Sequence, residues 1–307
     1  MGLVMKTEVD SAKNAAPQVR CYYWRQHKMF KNLGDYLGVI TVAALGFQCV
    51  NPKQTGPHIL NIGRCLLPIG TVLGMKVLQW LDGPLDIWGC GWKGNALPAD
   101  VMKRAVFHAV RGPRTVVGLE LPSATPIGDP ALLLPQLYPH QAPRHRRTLF
   151  IPHIFHMDGP SASMWRQRTG CDEVLSTWVV STWPPRGDIA LWDLADLLRA
   201  RIKLGVVPHT AWWTVDRIIG ADFVLTGSLH GAVLAQAYGI PWAAYDHGVG
   251  NVPEQWLDWA EYIDVNLAQV ANLADGLRWW ERYGVHGRIR DLQPLLKAFP
   301  YRHTEEY

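Results

Sequence analysis

The sequence predicts an α/β protein built as two Rossmann-like domains facing a cleft. Three observations predict it. Residues 221–246, ADFVLTGSLHGAVLAQAYGIPWAAYD, read as strand, tight turn, helix and strand, which is one βαβ unit. The first half repeats the pattern, with apolar strands running into glycine-rich turns and helices. Between the halves, residues 139–148, PHQAPRHRRT, have the polar, basic, proline-containing composition of a linker. The expected organisation is a disordered tail over 1–19, an N-terminal domain over 20–140 and a C-terminal domain over 148–287. A C-terminal helix within 288–307 is expected to pack back on the N-terminal domain.

Composition narrows the class. Of the 307 residues 48% are hydrophobic and 18% charged, which fits a soluble globular chain and excludes a disordered one. A net charge of +4 suits an anionic small substrate or an anionic membrane surface, and it is no nucleic-acid footprint. The five cysteines are scattered and never form a CxxC pair, as expected of reduced thiols in a cytoplasm. The N-terminus has no signal-peptide core, and no apolar run of about 18 residues predicts a membrane span. Histidines do not recur at ligand spacing with carboxylates and there is no HExxH, so no metal is expected. The fifteen tryptophans are either core or rings for stacking on sugars.

Taken in order, residues 20–24 read as the first strand. Asn32-Leu33-Gly34-Asp35 then leads into a helix over 36–45, with Asp35 near its start, where a carboxylate is stabilised. Residues 58–63 and 85–91 read as strands ending in glycine; Trp88 in the second belongs either to the core or to a sugar face. Residues 106–111 form a strand that delivers Arg111 into Gly112-Pro113, a helix start. Arginine forks onto carboxylate or phosphate oxygens, which makes Arg111 a candidate anion anchor; Arg114 has the weaker case, on an exposed helix. Asp129 caps and Pro130 starts a further helix, a purely architectural role.

The second half opens on a strand ending in Pro152-His153, followed by a strand over 173–182 and a helix over 188–204. A stretch at 206–209 and a helix over 212–219 lead into the central βαβ unit. Residues 254–259, 266–283 and 291–299 are helical in pattern. The turn Thr226-Gly227-Ser228-Leu229-His230 lies at the carboxyl end of a strand, where α/β folds bind ligands. Gly227 allows close approach of backbone, and the helix start suits a phosphate or carboxylate. His230 falls in the first helical turn, either as a proton carrier or as a satisfied histidine of a capped helix.

These residues resemble the ketal pyruvyltransferases of polysaccharide synthesis, especially the exopolysaccharide branch acting on xanthan and succinoglycan. Ser228-Leu229-His230-Gly231 with the helix behind it carries the resemblance. Asn32-x-Gly34-Asp35, Arg111-Gly112-Pro113 and Gly128-Asp129-Pro130 follow in the family's order. Many members have Arg where this chain has Ser228, so another cation must hold the donor's charge. The resemblance implies a GT-B-like fold, with an acceptor side in the first domain and a donor side in the second. It implies transfer of pyruvate from phosphoenolpyruvate, a co-substrate with no further cofactor, onto two hydroxyls of a sugar in a lipid-linked oligosaccharide. His230 would protonate the donor, and Asp35 would be base or acceptor anchor. Arg111, Gly227, Ser228 and His153 would bind phosphoenolpyruvate, while Asn32, Trp88 and Asp246 would bind the acceptor. Such an enzyme would be cytoplasmic, with a peripheral contact at the inner membrane face. The competing readings are a nucleotide-sugar glycosyltransferase of the same shape and a non-catalytic sugar-binding component of an assembly complex.

Overall fold

The computed structural model describes residues 16–23, 31–50, 53–54, 60–61, 65–68, 78, 81, 83–139, 142–156, 160–180, 209–246, 248 and 253–301. In chain order the first half gives β1 (Gln18–Arg20), β2 (Lys31–Asn32), α1 (Leu33–Ala44), β3 (Gln48–Val50), β4 (Lys53–Gln54) and β5 (Leu60–Asn61). It continues with β6 (Cys65–Leu67), β7 (Leu85–Cys90), α2 (Ala99–Arg104), β8 (Ala105–Val110) and α3 (Pro113–Gly118). A 3-10 turn (Pro130–Leu133) then precedes α4 (Leu134–Leu137). The second half gives β9 (Thr148–Ile151), α5 (Ala162–Thr169), β10 (Glu173–Val174), β11 (Trp178–Val180), β12 (His209–Thr210), α6 (Ala211–Ile219), β13 (Phe223–Thr226) and α7 (Leu229–Ala237). It ends with β14 (Trp242–Tyr245), α8 (Pro253–Ile263), β15 (Gln269–Val270), α9 (Leu273–Arg282) and α10 (Gln293–Lys297).

Two parallel sheets organise these elements, so the chain is α/β. In the first, β6, β7 and β8 pair in that order, all parallel. The Tyr22 N–H donates to Leu66 O and a bridge joins Cys21 to Leu66, which ties β1 and its parallel partner β3 to β6. On the far side Val110 bridges to Ile127. The second sheet runs β10-β9-β13-β14-β15, again all parallel. Parallel strands covered on both faces are mostly apolar, and β7, β13 and β14 are buried at every position, Asp86 of β7 included.

The structure redraws several expected elements. The first strand begins at Gln18, inside the expected tail, because Gln18 pairs with Gln48. α1 starts at Leu33, since the Asn32 side chain caps it by accepting the Gly34 N–H. The expected strand over 173–182 is two: Glu173–Val174 joins the large sheet, while β11 pairs with β12 and, antiparallel, with β2. Helix does not span 266–283, because Gln269–Val270 is the fifth strand and Asn272 caps α9. In 58–63 only Leu60–Asn61 is described, paired antiparallel with β4, and the expected helix over 188–204 lies outside the described residues. The basic segment after residue 141 is fastened to the second half. The His145 N–H donates to Gly220 O, and the Asp222 N–H donates to Arg147 O.

The two halves interlock. The Leu33 N–H donates to Thr177 O beside the β2–β11 pair. Leu33, Leu37 and Ile40 of α1 share a core with Phe150, Leu225 and Val233 of the second half. At the other end of the chain, Leu295 and Phe299 pack on Val19, Leu66 and Ala109. Among the described residues no helix is long and apolar enough to cross a membrane.

Candidate active site

The site begins with β8. The strand ends at Val110, and the next residue, Arg111, is 0% exposed. Its guanidinium lies against Gly91, where an added Cβ would fall 1.4 Å from Nη2. Its nearest acid is Asp258 of α8, at 3.9 Å from Nε. That carboxylate is already bound by the Thr115 N–H at 3.1 Å and the Thr115 hydroxyl at 2.7 Å. Burial pushes the Asp258 carboxyl up, and the Arg111 charge holds it back. None of the three Arg111 nitrogens has a hydrogen-bond partner among the described residues. A buried charged donor left unbonded is expensive, so this fork is able to take an anion.

Beside it stands Asp129. The Gly128 N–H donates to Val110 O, which fixes Asp129 next to the end of β8. One carboxylate oxygen accepts the Ala131 N–H at 3.0 Å and caps the 3-10 turn. The other, Oδ2, lies 3.4 Å from Nε2 of His230, and neither atom has a hydrogen-bond partner among the described residues. The Cys90 thiol lies within the field of Arg111, Asp129 and Asp35 together; burial pushes it up and Arg111 works against that.

His230 reaches this place because of a folded turn. The Thr226 hydroxyl donates to Ser228 O and accepts the Ser228 N–H, and the Gly227 N–H donates to Ile151 O at 2.8 Å. Gly231 leaves room for it, since a Cβ there would sit 2.5 Å from Thr226 Oγ1. The expected anion-binding N–H groups of Gly227 and Ser228 are therefore committed to the turn. Those of Leu229 and His230, the first two of α7, have no intrahelical acceptor. On the other side the imidazole rests on α1, where a Cβ on Gly34 would fall 2.3 Å from Nδ1.

α1 contributes Asp35 through its first turn. The Asn32 amide donates to Asp35 Oδ2 at 2.8 Å while its oxygen caps the helix, so both ends of Asn32 serve the α1 start. Lys93, two residues past Gly91, is half-buried; burial holds its ammonium below the usual lysine range and the Asp35 carboxylate opposes the shift. His153 follows β9, half-buried at the same sheet edge as Gly227. Asp246 follows β14 and is exposed, accepting the Gly248 N–H.

Trp88 requires a correction. It is 0% exposed, its indole N–H donates to Leu295 O at 2.9 Å and its ring packs on Phe299. It belongs to the core under the C-terminal segment, because its strand is covered on both faces. Asp129 caps the turn that Pro130 starts, as expected, and its second oxygen in addition faces His230. Lys93 was missed outright, and the only sequence signal for it was the Gly-Cys-Gly turn just before it. No group of three or more metal-ligating side chains occurs among the described residues.

A buried guanidinium with no hydrogen-bond partner among the described residues, beside a carboxylate–imidazole pair at the carboxyl ends of parallel strands, is able to bind an anion and move protons. The chain belongs to the polysaccharide pyruvyl transferase family, whose model matches residues 75–248, more than half its length. It is 27% identical over 289 residues to the succinoglycan biosynthesis protein ExoV of Rhizobium meliloti (strain 1021), covering 89% of this chain and 75% of that protein. It is also similar to a functionally uncharacterized protein from Klebsiella pneumoniae of known crystal structure. That match has 12% identity and a TM-score of 0.42, and covers 78% of this chain and 87% of the other.

Proposed function

We propose that this enzyme transfers the pyruvyl unit of phosphoenolpyruvate to two hydroxyls of one sugar in a lipid-linked exopolysaccharide repeat unit and releases phosphate. The observation that carries the reading is the buried Arg111 fork without a hydrogen-bond partner among the described residues. A carboxylate or phosphate oxygen pair fits such a fork with two parallel bonds. The exopolysaccharide assignment draws on the succinoglycan relative. The domain bounds 20–140 and 148–287, a GT-B arrangement and a place at the inner membrane face belong to the same proposal.

The chemistry follows from the side chains. A proton from His230 goes to the donor's methylene carbon, which becomes the methyl group. The central carbon then takes one sugar oxygen, and the second sugar oxygen displaces phosphate to close the ketal. Of the two hydroxyl protons released, one replaces the proton spent on the methyl group and the other leaves on phosphate. Arg111 anchors the donor, with Lys93 as a second cation on the Asp35 side. Asp35 receives a hydroxyl proton or fixes the acceptor, and His153 and Asp246 serve donor and acceptor from beyond the ends of β9 and β14, the strands on either side of β13.

The test is phosphate release from phosphoenolpyruvate across lipid-linked or arylated galactosides, glucosides and mannosides. The expected result is release that depends on one sugar, whose mass rises by pyruvate less water. Binding of a nucleoside diphosphate to saturation, with none of phosphoenolpyruvate, would overturn the reading in favour of a nucleotide-sugar glycosyltransferase.

A further inference from the structure

We infer that Asp129 is the positioning residue of His230. Its buried carboxylate holds the imidazole proton on Nε2, which leaves Nδ1 as the nitrogen that exchanges protons with substrate. The inference rests on the proton-transfer role given to His230 above, and it extends that role to a residue whose sequence context shows only a helix cap.

The geometry assigns the two oxygens of Asp129 different work. Oδ1 is fixed by the Ala131 N–H at 3.0 Å, so the carboxylate cannot rotate without losing the cap of the 3-10 turn. That constraint aims Oδ2 at Nε2, 3.4 Å away. Both atoms are buried and without a hydrogen-bond partner among the described residues, so each is the natural complement of the other. A movement of a few tenths of an ångström brings them to an ordinary hydrogen-bond distance. Asp129 is itself 0% exposed, and the turn around it is closely packed. A Cβ on Gly89 would meet Pro130 at 2.0 Å, and one on Gly128 would lie 3.4 Å from the Tyr262 hydroxyl.

The opposite edge of the ring is clamped too. Nδ1 faces Gly34 at the start of α1, where Asp35 is the next residue. Gly34 fixes where the ring lies without covering Nδ1 with a side chain, and the carboxylate facing Nε2 sets the tautomer. That is what a proton carrier needs: the substrate-facing nitrogen must be the same in every turnover. The oxygen of a buried acid, fixed by its own cap, does this without taking the proton itself.

The experiment compares wild type with Asp129→Asn. The asparagine oxygen keeps the cap to Ala131, while its NH2 presents a donor where Nε2–H needs an acceptor. Nitrogen-15 NMR of the neutral imidazole reads the tautomer directly. The expected result is Nε2–H in the wild type and a shift to Nδ1–H in the variant. Turnover should fall about a hundredfold or more with the apparent KM for phosphoenolpyruvate little changed. An Nδ1–H tautomer in the wild type overturns the inference without any variant. So does an asparagine variant with unchanged tautomer and unchanged turnover. A shifted tautomer with full turnover keeps Asp129 as the positioning residue and instead removes His230 from the proton transfer proposed above.

Discussion

Two arginines flank the same Gly-Pro turn and meet opposite fates. Arg114 is partly exposed, and its guanidinium is satisfied twice over by α8. Nε donates to Glu254 at 2.9 Å and Nη1 to Glu261 at 2.8 Å. Arg111 is wholly buried, faces the same helix and touches only the edge of a carboxylate already claimed by Thr115. A cation that the protein pairs with its own acids is a clamp between α3 and α8. One that is buried with no hydrogen-bond acceptor among the described residues is free to take an anion from outside. The difference shows that charge and location near a strand end do not identify an anion site. What identifies it is the deficit of acceptors around the charge.

The largest effect expected from this contrast comes from removing the Arg111 fork. A fork of charge-assisted hydrogen bonds is worth about 3–6 kcal/mol, so Arg111→Ala should lower kcat/KM for phosphoenolpyruvate by roughly two to four powers of ten. Calorimetric titration with the donor should show binding lost in the same variant. Donor binding at wild-type strength would break the comparison, because Arg111 would then be an internal charge with Asp258 as its whole purpose.

A second test leaves both arginines in place. An alanine Cβ at residue 91 would fall 1.4 Å from Arg111 Nη2, so Gly91→Ala must move the guanidinium. Overpacking of this kind costs about 1–3 kcal/mol, and donor KM should rise roughly tenfold. The same substitution leaves Arg114 untouched, so the thermal midpoint should fall modestly while the α3–α8 ion pairs persist. An unchanged donor KM would mean that the guanidinium can bind from more than one position, and the close approach at Gly91 would lose its meaning.

How much of this was legible in the chain differs from residue to residue, for physical reasons. The α/β class was legible because parallel strands, buried on both faces, write near-continuous apolar runs such as Phe223–Thr226 and Trp242–Tyr245. Arg111 was legible because a strand end followed by Gly-Pro is a local pattern. Its missing partners were not, since absence of an acceptor is a property of the packed interior. Asp129 shows the limit most clearly. Locally it is a cap, and it does cap; the oxygen that matters points at His230, about a hundred positions along the chain, which no local pattern records. The Gly227-Ser228 turn looked like an anion cradle for the same reason. Glycine and serine ahead of a helix read that way until Thr226 and Ile151, one of them on another strand, take up the N–H groups. Trp88 was ambiguous because a tryptophan beside a glycine turn suits a sugar face or a core. The C-terminal segment decides, by supplying Leu295 O and Phe299.

The smallest effect belongs to the paired arginine, and its smallness is what the contrast demands. Arg114 keeps about a third of its side chain in solvent, as does Glu254, and Glu261 is more exposed still. Water and salt screen such pairs, which typically contribute no more than about 1 kcal/mol. Arg114→Ala should therefore lower stability by about that amount or less in a urea titration, and the difference should shrink as salt is added. Turnover and donor KM should stay near wild type, because the Thr115–Asp258 bonds still hold α3 against α8 at the turn that carries Arg111. A large loss of donor affinity in this variant would mean that the clamp, rather than the empty fork beneath it, sets the position of Arg111. The two arginines would then be one device rather than two.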